Sequence, residues 1–258
     1  MKRLSIAIMA LTLCLATMAQ DWRHRVSRVE EHTMKSEVLG AERNYTVYLP
    51  AGYDLNAEQT YPVLYLLHGM NGTNKDWYDR GHVKDVMDQL TASGEVCEMV
   101  IVSPDAGGPV NEGKWNGYFD MKGWHYEEFF FTEFLPMIEK TYRIKGDKQH
   151  RAIAGLSMGG GHTLQTTAMY PDKFGYIGLF SGAVFQGDIE KLAPLFAKNP
   201  KVYLVACGTA DPIAKFSFDF ADALKEKGYP HETLWTDGAH AWKNWRHYLM
   251  VFAEQLFK

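Results

Sequence analysis

Apolar residues along this chain fall into short continuous runs separated by longer amphipathic stretches. Tyr61 to Leu67 is one such run, broken only by Pro62 near its start, and it suits a strand buried on both faces. Met99 to Val102 repeats the pattern and ends at Ser103-Pro104-Asp105. Further strands are expected before Ser157, at Tyr176 to Phe180, at Val202 to Cys207 and, shorter, at Glu232 to Trp235. Val38 to Leu49 alternates in part and stops at Pro50-Ala51-Gly52-Tyr53, which reads as strands followed by a turn. Between these runs the period changes. Tyr126 to Tyr142 reads as a helix with a kink at Pro136. His162 to Tyr170 is helix-compatible and is stopped by Pro171, and Phe216 to Lys227 stops at Gly228. Trp242, Trp245, Leu249, Phe252 and Leu256 recur at helical spacing, so the last helix lays one apolar face on the sheet. Strands alternating with helices predict an α/β domain with a mostly parallel sheet flanked by helices. In such sheets a ligand site lies beyond the carboxyl ends of the strands.

The beginning of the chain follows a different pattern. Met1-Lys2-Arg3 precedes an apolar run from Leu4 to about Ala16, then Thr17-Met18-Ala19. A basic start, a short apolar core and a small residue before the cut describe a secretory signal peptide, residues 1–19, followed by one domain, residues 20–258. The apolar run is shorter than the ~20 residues that span a bilayer. Leu11-Thr12-Leu13-Cys14 partly matches a lipidation signal, but Leu13 is large where a small residue belongs. Export would leave the protein periplasmic or secreted. Removing Lys2 and Arg3 with the leader shifts the formal charge from -4 to -6. That mild acidity, without a basic cluster, gives no footprint for nucleic acid. Only Cys97 and Cys207 remain, so no disulfide framework is expected and the core must carry stability.

The chemistry concentrates in Gly155-Leu156-Ser157-Met158-Gly159, a G-x-S-x-G sequence between a predicted strand and a predicted helix. Strand, sharp turn and helix are the context that a nucleophile elbow requires, with Ser157 presented at the end of the sheet. A serine hydroxyl needs a base to take its proton and a third group to orient that base. In the α/β-hydrolase order the acid and then the histidine follow the serine. His240 lies in a loop between the last strand and the last helix, where an imidazole can reach the central sheet. His231 precedes the last strand at the wrong end, and His247 lies inside the C-terminal helix. Asp211 follows directly on a buried strand and is preferred as the acid. Asp237 reads as a turn residue, Asp219 and Asp222 as solvated, and Asp188 and Glu190 as caps. An oxyanion hole needs two backbone N–H groups. Met158 N–H is one candidate, and Met70 N–H, in His68-Gly69-Met70-Asn71-Gly72, is the other. His68 is expected to shape that loop rather than act as a base.

These residues resemble the esterase D / antigen 85 branch of α/β-hydrolases, and more narrowly the feruloyl and acetyl xylan esterases of carbohydrate esterase family one. The resemblance rests on Arg43 to Pro50 with Gly52-Tyr53-Asp54, Tyr61 to Gly69, Ala154 to Gly160, Gly208 to Asp211, and Gly238 to Trp242 with Trp245. It implies an α/β-hydrolase fold, a Ser157–Asp211–His240 triad, Met70 and Met158 as oxyanion donors, and no cofactor. The family often places an acid after the triad histidine, where this chain has Ala241. Trp77, Trp115 and Trp124, with Tyr118 and His125, lie in loops after strands and offer aromatic planes to a phenolic acid or a sugar. The alternative for each is to cover the core. No metal-ligand spacing and no phosphate loop is present. The expected activity is exported serine esterase action on feruloyl or p-coumaroyl esters of plant polysaccharide. Acetyl xylan esterase, acyltransferase and siderophore esterase activities use the same machinery and remain open, as does the oligomeric state.

Overall fold

The computed structural model describes residues 26–106 and 126–258. The expected leader, and the candidate aromatics Trp115, Tyr118, Trp124 and His125, lie outside the described residues. An eight-stranded sheet organises the domain, in the order β1-β2-β4-β3-β5-β6-β7-β8. Its strands are β1 (Arg28–Ser36), β2 (Ala41–Leu49), β3 (Val63–Leu67), β4 (Val100–Pro104), β5 (Arg151–Leu156), β6 (Tyr176–Phe180), β7 (Val202–Gly208) and β8 (Glu232–Thr236). β1 and β2 form an antiparallel pair, β2 joins β4 antiparallel, and all the remaining pairs are parallel.

The runs that are apolar in sequence are the central strands, because both of their faces are covered. Val63, Tyr65, Leu67, Val102, Ile153, Ile177, Leu179 and Val205 pack to one side, with Phe129, Phe130, Phe134 and Ile138 and with Phe220 and Leu224. Leu64, Leu66, Ile101, Ala154, Phe180 and Ala206 pack to the other, against Met87 and Leu90 and against Leu249 and Phe252. The C-terminal helix (Trp242–Ala253) forms as its spacing predicts. A helix at Val83–Ala92 does not stand out in the sequence, because only Val83, Met87 and Leu90 are buried among polar residues.

Two expectations need correction. The first strand begins at Arg28, not Val38, and Val38 lies in the turn between β1 and β2. β1 reads Arg-Val-Glu-Glu-His-Thr-Met-Lys-Ser and buries little, so no hydrophobic alternation announces it. It is held by a full ladder to β2, from Arg28 opposite Leu49 to Ser36 opposite Ala41, and its charges suit an exposed sheet edge. The helix beginning at Tyr126 is not one regular α-helix through Pro136. Instead it widens into a π turn at Phe130–Phe134, where Leu135 N–H reaches back to Phe130 O, before resuming at Leu135–Thr141. Proline lacks the N–H for a regular helical bond, and a π turn accommodates such a break.

Candidate active site

Ser157 sits between β5 and the helix Met158–Met169 with φ 54° and ψ -117°. Positive φ at a non-glycine residue costs on the order of 1–3 kcal/mol, so its surroundings must hold it. They do so through the backbone: Ser157 N–H donates to Phe180 O at 3.0 Å, and Ser157 O accepts from Ala183 N–H at 2.8 Å and Gly160 N–H at 3.0 Å. The motif's glycines answer to close approach. A Cβ on Gly155 would lie 2.2 Å from Gly159 O, and one on Gly159 would lie 2.5 Å from Leu67 O and from His68 O. Only hydrogen fits at either position, so strand, following helix and the loop after β3 converge on Ser157.

Asp211 follows β7, and its carboxyl group is wholly buried. One oxygen accepts Ile213 N–H at 2.9 Å, and the other faces His240 Nδ1 at 2.8 Å. The two loops are stitched together by backbone bonds, Thr209 N–H to Thr236 O and Ala210 N–H to Gly238 O, and Asn244 Nδ2 ties the histidine loop through Ala239 O. An ionised Asp211 requires a proton on Nδ1, which leaves the Nε2 lone pair to act as base. The Trp245 indole stands edge-on to the His240 ring, 4.8 Å between centroids at 89°, and donates its own N–H to Ser181 Oγ at 3.2 Å. Burial raises the pKa of the Cys207 thiol, which disfavours its thiolate form.

The loop after β3 turns through Gly69, Met70, Asn71 and Gly72, closed by Gly72 N–H to Gly69 O at 3.1 Å. Asn71, at φ 58°, takes the left-handed position that such a turn demands. His68 is buried; Ala106 N–H donates to its Nε2 at 2.9 Å, and its Nδ1 lies 2.7 Å from Gly69 O. An acceptor Nε2 places the proton on Nδ1, where it is given to Gly69 O. His68 is therefore engaged on both nitrogens and shapes the loop. Two donors hold the Gly69 carbonyl, and in a trans peptide the Met70 N–H must point the opposite way. Met158 N–H belongs to the first turn of its helix, where backbone donors lack intrahelical acceptors.

Ser157 and His240 line one cavity of about 210 Å³ together with Gly69, Met70, Leu156 and Trp245. His231, bonded to Tyr229 O, and His247, exposed on the C-terminal helix, do not line it. Neither does His162, which the strand–helix pattern passes over. It is fully buried in the helix Met158–Met169, its Nδ1 3.5 Å from Glu127 Oε1. Asp188 caps the turn after Phe185, and Asp219 pairs with Lys215 on the surface. Trp77 requires correction as a substrate contact. It is completely buried, donates to Leu67 O at 3.0 Å and packs edge-on against Phe180 and Trp242. Sequence placed it in a loop, but the short helix Asp76–Asp79 turns it into the core. The same turn sends Asp76 and Arg80 to the cavity, two residues that sequence reasoning missed. Their spacing of four after the Gly69–Gly72 turn was the available signal. Among the described residues, no group of three or more His, Cys, Asp or Glu is gathered to hold a metal ion. No helix among them is long and apolar enough to cross a membrane.

Known proteins resemble this chain in sequence and in fold. The sequence model of the Esterase family matches residues 36–251. An endo-1,4-beta-xylanase/feruloyl esterase of Xylanibacter ruminicola is 34% identical over 237 residues, covering 89% of this chain and 31% of that protein. The chain thus spans about a third of that relative's length. A ferulic acid esterase of known structure is 42% identical and superposes with a TM-score of 0.82, over 89% of this chain and 97% of the other. A family-one ferulic acid esterase from Anaeromyces mucronatus, solved with ferulic acid, is 25% identical with a TM-score of 0.79, over 91% and 95% of the two chains. With its serine turn, mostly parallel sheet and family match, this chain belongs to the esterase family of α/β-hydrolases, carboxylic ester hydrolases that include its ferulic acid esterase relatives.

Proposed function

We propose that this chain is an exported serine esterase that removes feruloyl or p-coumaroyl groups from plant polysaccharide. The observation that carries the reading is His240, bonded to the buried Asp211 carboxylate and lining the same cavity as Ser157. Ser157 Oγ attacks the ester carbonyl while His240 Nε2 takes its proton, and Asp211 steadies the imidazolium. The Met70 and Met158 N–H groups receive the developing oxyanion, and one such donor is typically worth about 100- to 1000-fold in rate. His240 returns the proton to the departing alcohol, leaving the acyl group on Ser157. Water, deprotonated by His240, then releases the acid. The acyl and polysaccharide assignments are supported by the feruloyl and ferulic acid esterase relatives, one of whose names pairs that activity with a xylanase. Export is supported by the basic and apolar pattern of Met1 to Ala19.

Hydrolysis of methyl ferulate beside 4-nitrophenyl acetate, with Ser157→Ala as control, tests the reading. Serine-dependent cleavage of methyl ferulate is expected. Cleavage of the acetyl ester alone would move the substrate to small acyl groups, and full activity in the folded Ser157→Ala protein would overturn the mechanism.

A further inference from the structure

The active-site cavity has a polar wall that the chemistry above does not use. Asp76, Arg80 and Trp242 line it beside His240. The Arg80 guanidinium carbon lies over the Trp242 ring, 5.2 Å from its centroid. Arg80 Nη1 stands 3.7 Å from Asp76 Oδ2, too far for a hydrogen bond although the charges attract. Among the described residues neither side chain has a hydrogen bond of its own, and the Arg80 side chain is 62% exposed. A surface pair of this kind adds little to stability, with a median near 0–1 kcal/mol. Trp242 in turn is braced edge-on by Trp77 and by Trp245, at 5.3 Å and 5.2 Å between centroids. A planar donor is thus laid on a fixed aromatic platform, with a carboxylate acceptor at its side.

The position of this wall follows from the reaction. His240 must reach the leaving oxygen to protonate it, so the alcohol half of the ester departs on the His240 side of Ser157. Trp242 is two residues beyond His240. A donor fork and an adjacent acceptor match neighbouring hydroxyls on one ring, because each hydroxyl both donates and accepts. Asp76 offsets the charge of Arg80, which favours a neutral partner over an anion.

We propose that Asp76 and Arg80, with Trp242 as the platform that positions Arg80, form an alcohol-side subsite for a neutral sugar carrying adjacent hydroxyls. This deepens the esterase reading and rests on it. It makes the sugar, as well as the acyl group, a determinant of specificity.

The test compares the methyl ester and the arabinosyl ester of the same acyl group. The readout is the ratio of their kcat/KM values in the native enzyme, Arg80→Met and Asp76→Asn, with thermal midpoints to verify folding. Native enzyme should prefer the arabinosyl ester, and each variant should lower that preference about tenfold, the effect of one lost hydrogen bond of about 1.4 kcal/mol. A ratio unchanged by both variants overturns the subsite, since a merely structural role would move both esters together. A larger Arg80→Met effect on a uronosyl ester than on the arabinosyl ester would mean recognition of an anion and also overturns it. If the native enzyme cleaves neither ester, the esterase reading itself fails. Titration of Ser157→Ala with an arabinoxylan oligosaccharide then decides the subsite: binding weakened by Arg80→Met upholds it, and absence of saturation at millimolar concentration rejects it.

Discussion

Replacing Asp211 by Asn isolates the orienting role of the acid, because the structure dictates how the amide must sit. Ile213 N–H donates to one Asp211 oxygen at 2.9 Å, and the other oxygen faces His240 Nδ1 at 2.8 Å. Asn has a single oxygen. The part-buried Ile213 N–H claims it, since a donor shielded from water and left without an acceptor costs about 1–3 kcal/mol. The amide NH2 is then turned toward His240 Nδ1, which must become an acceptor. The ring proton moves to Nε2, and no lone pair remains there for the Ser157 proton. The expected loss is about 10⁴-fold in kcat. At 1.36 kcal/mol per decade this is about 5.4 kcal/mol of barrier. Shape and the Ile213 bond are kept, so the fold should survive. The assay is release of 4-nitrophenolate from 4-nitrophenyl acetate at saturating substrate, with circular dichroism and a thermal midpoint on the same preparation. Asp237→Asn is the matched control, because Asp237 is exposed directly after Thr236 and His240 Nδ1 bonds to Asp211 instead; it should stay within twofold. A folded Asp211→Asn enzyme within tenfold of native would refute the tautomer argument. A collapse in Asp237→Asn instead would move the acid to that loop.

Gly159→Ala should destabilise the protein by about 1–3 kcal/mol as an overpacked contact. Its new methyl would stand 2.5 Å from Leu67 O and His68 O, backbone atoms that carry the loop to Met70, so activity should fall with stability. A native urea midpoint together with native kcat would contradict this. Asp88→Asn should weaken the region around Tyr48 and change the acid response. Burial alone would raise the Asp88 pKa, but donors from Lys84, Ser27 and Tyr48 hold it below the usual carboxylate value. A depressed folded pKa contributes stability above about pH 4 and loses it as pH falls through the folded value. Native protein should therefore outlast Asp88→Asn at pH 7, by about 1 kcal/mol or 2–4 °C, and the gap should close toward pH 3. A gap that stays constant across that range in thermal melts would show that the carboxylate's charge is not the cause.

Sequence alone determined the central architecture, because strands buried on two faces must be apolar throughout. Val63–Leu67, Val100–Pro104, Arg151–Leu156, Tyr176–Phe180 and Val202–Gly208 all fall where such runs lie. It also determined the turn at Ser157, since Gly155 and Gly159 are demanded by contacts shorter than any side chain allows. The partnership of Asp211 and His240 was legible as a chain order, but their 2.8 Å contact depends on the sheet placing β7 beside β8. Tertiary structure alone decided three matters. It made a charged strand of Arg28–Ser36, which owes its form to β2 rather than to its own pattern. It sent Trp77 into the core and Arg80 to the cavity, a division set by the direction of one short helix. It brought Trp245, read as part of an apolar helix face, against His240. The physical reason is common to all three. Burial pattern and steric demand are local and are written along the chain, whereas the facing of a side chain across a loop depends on elements distant in sequence.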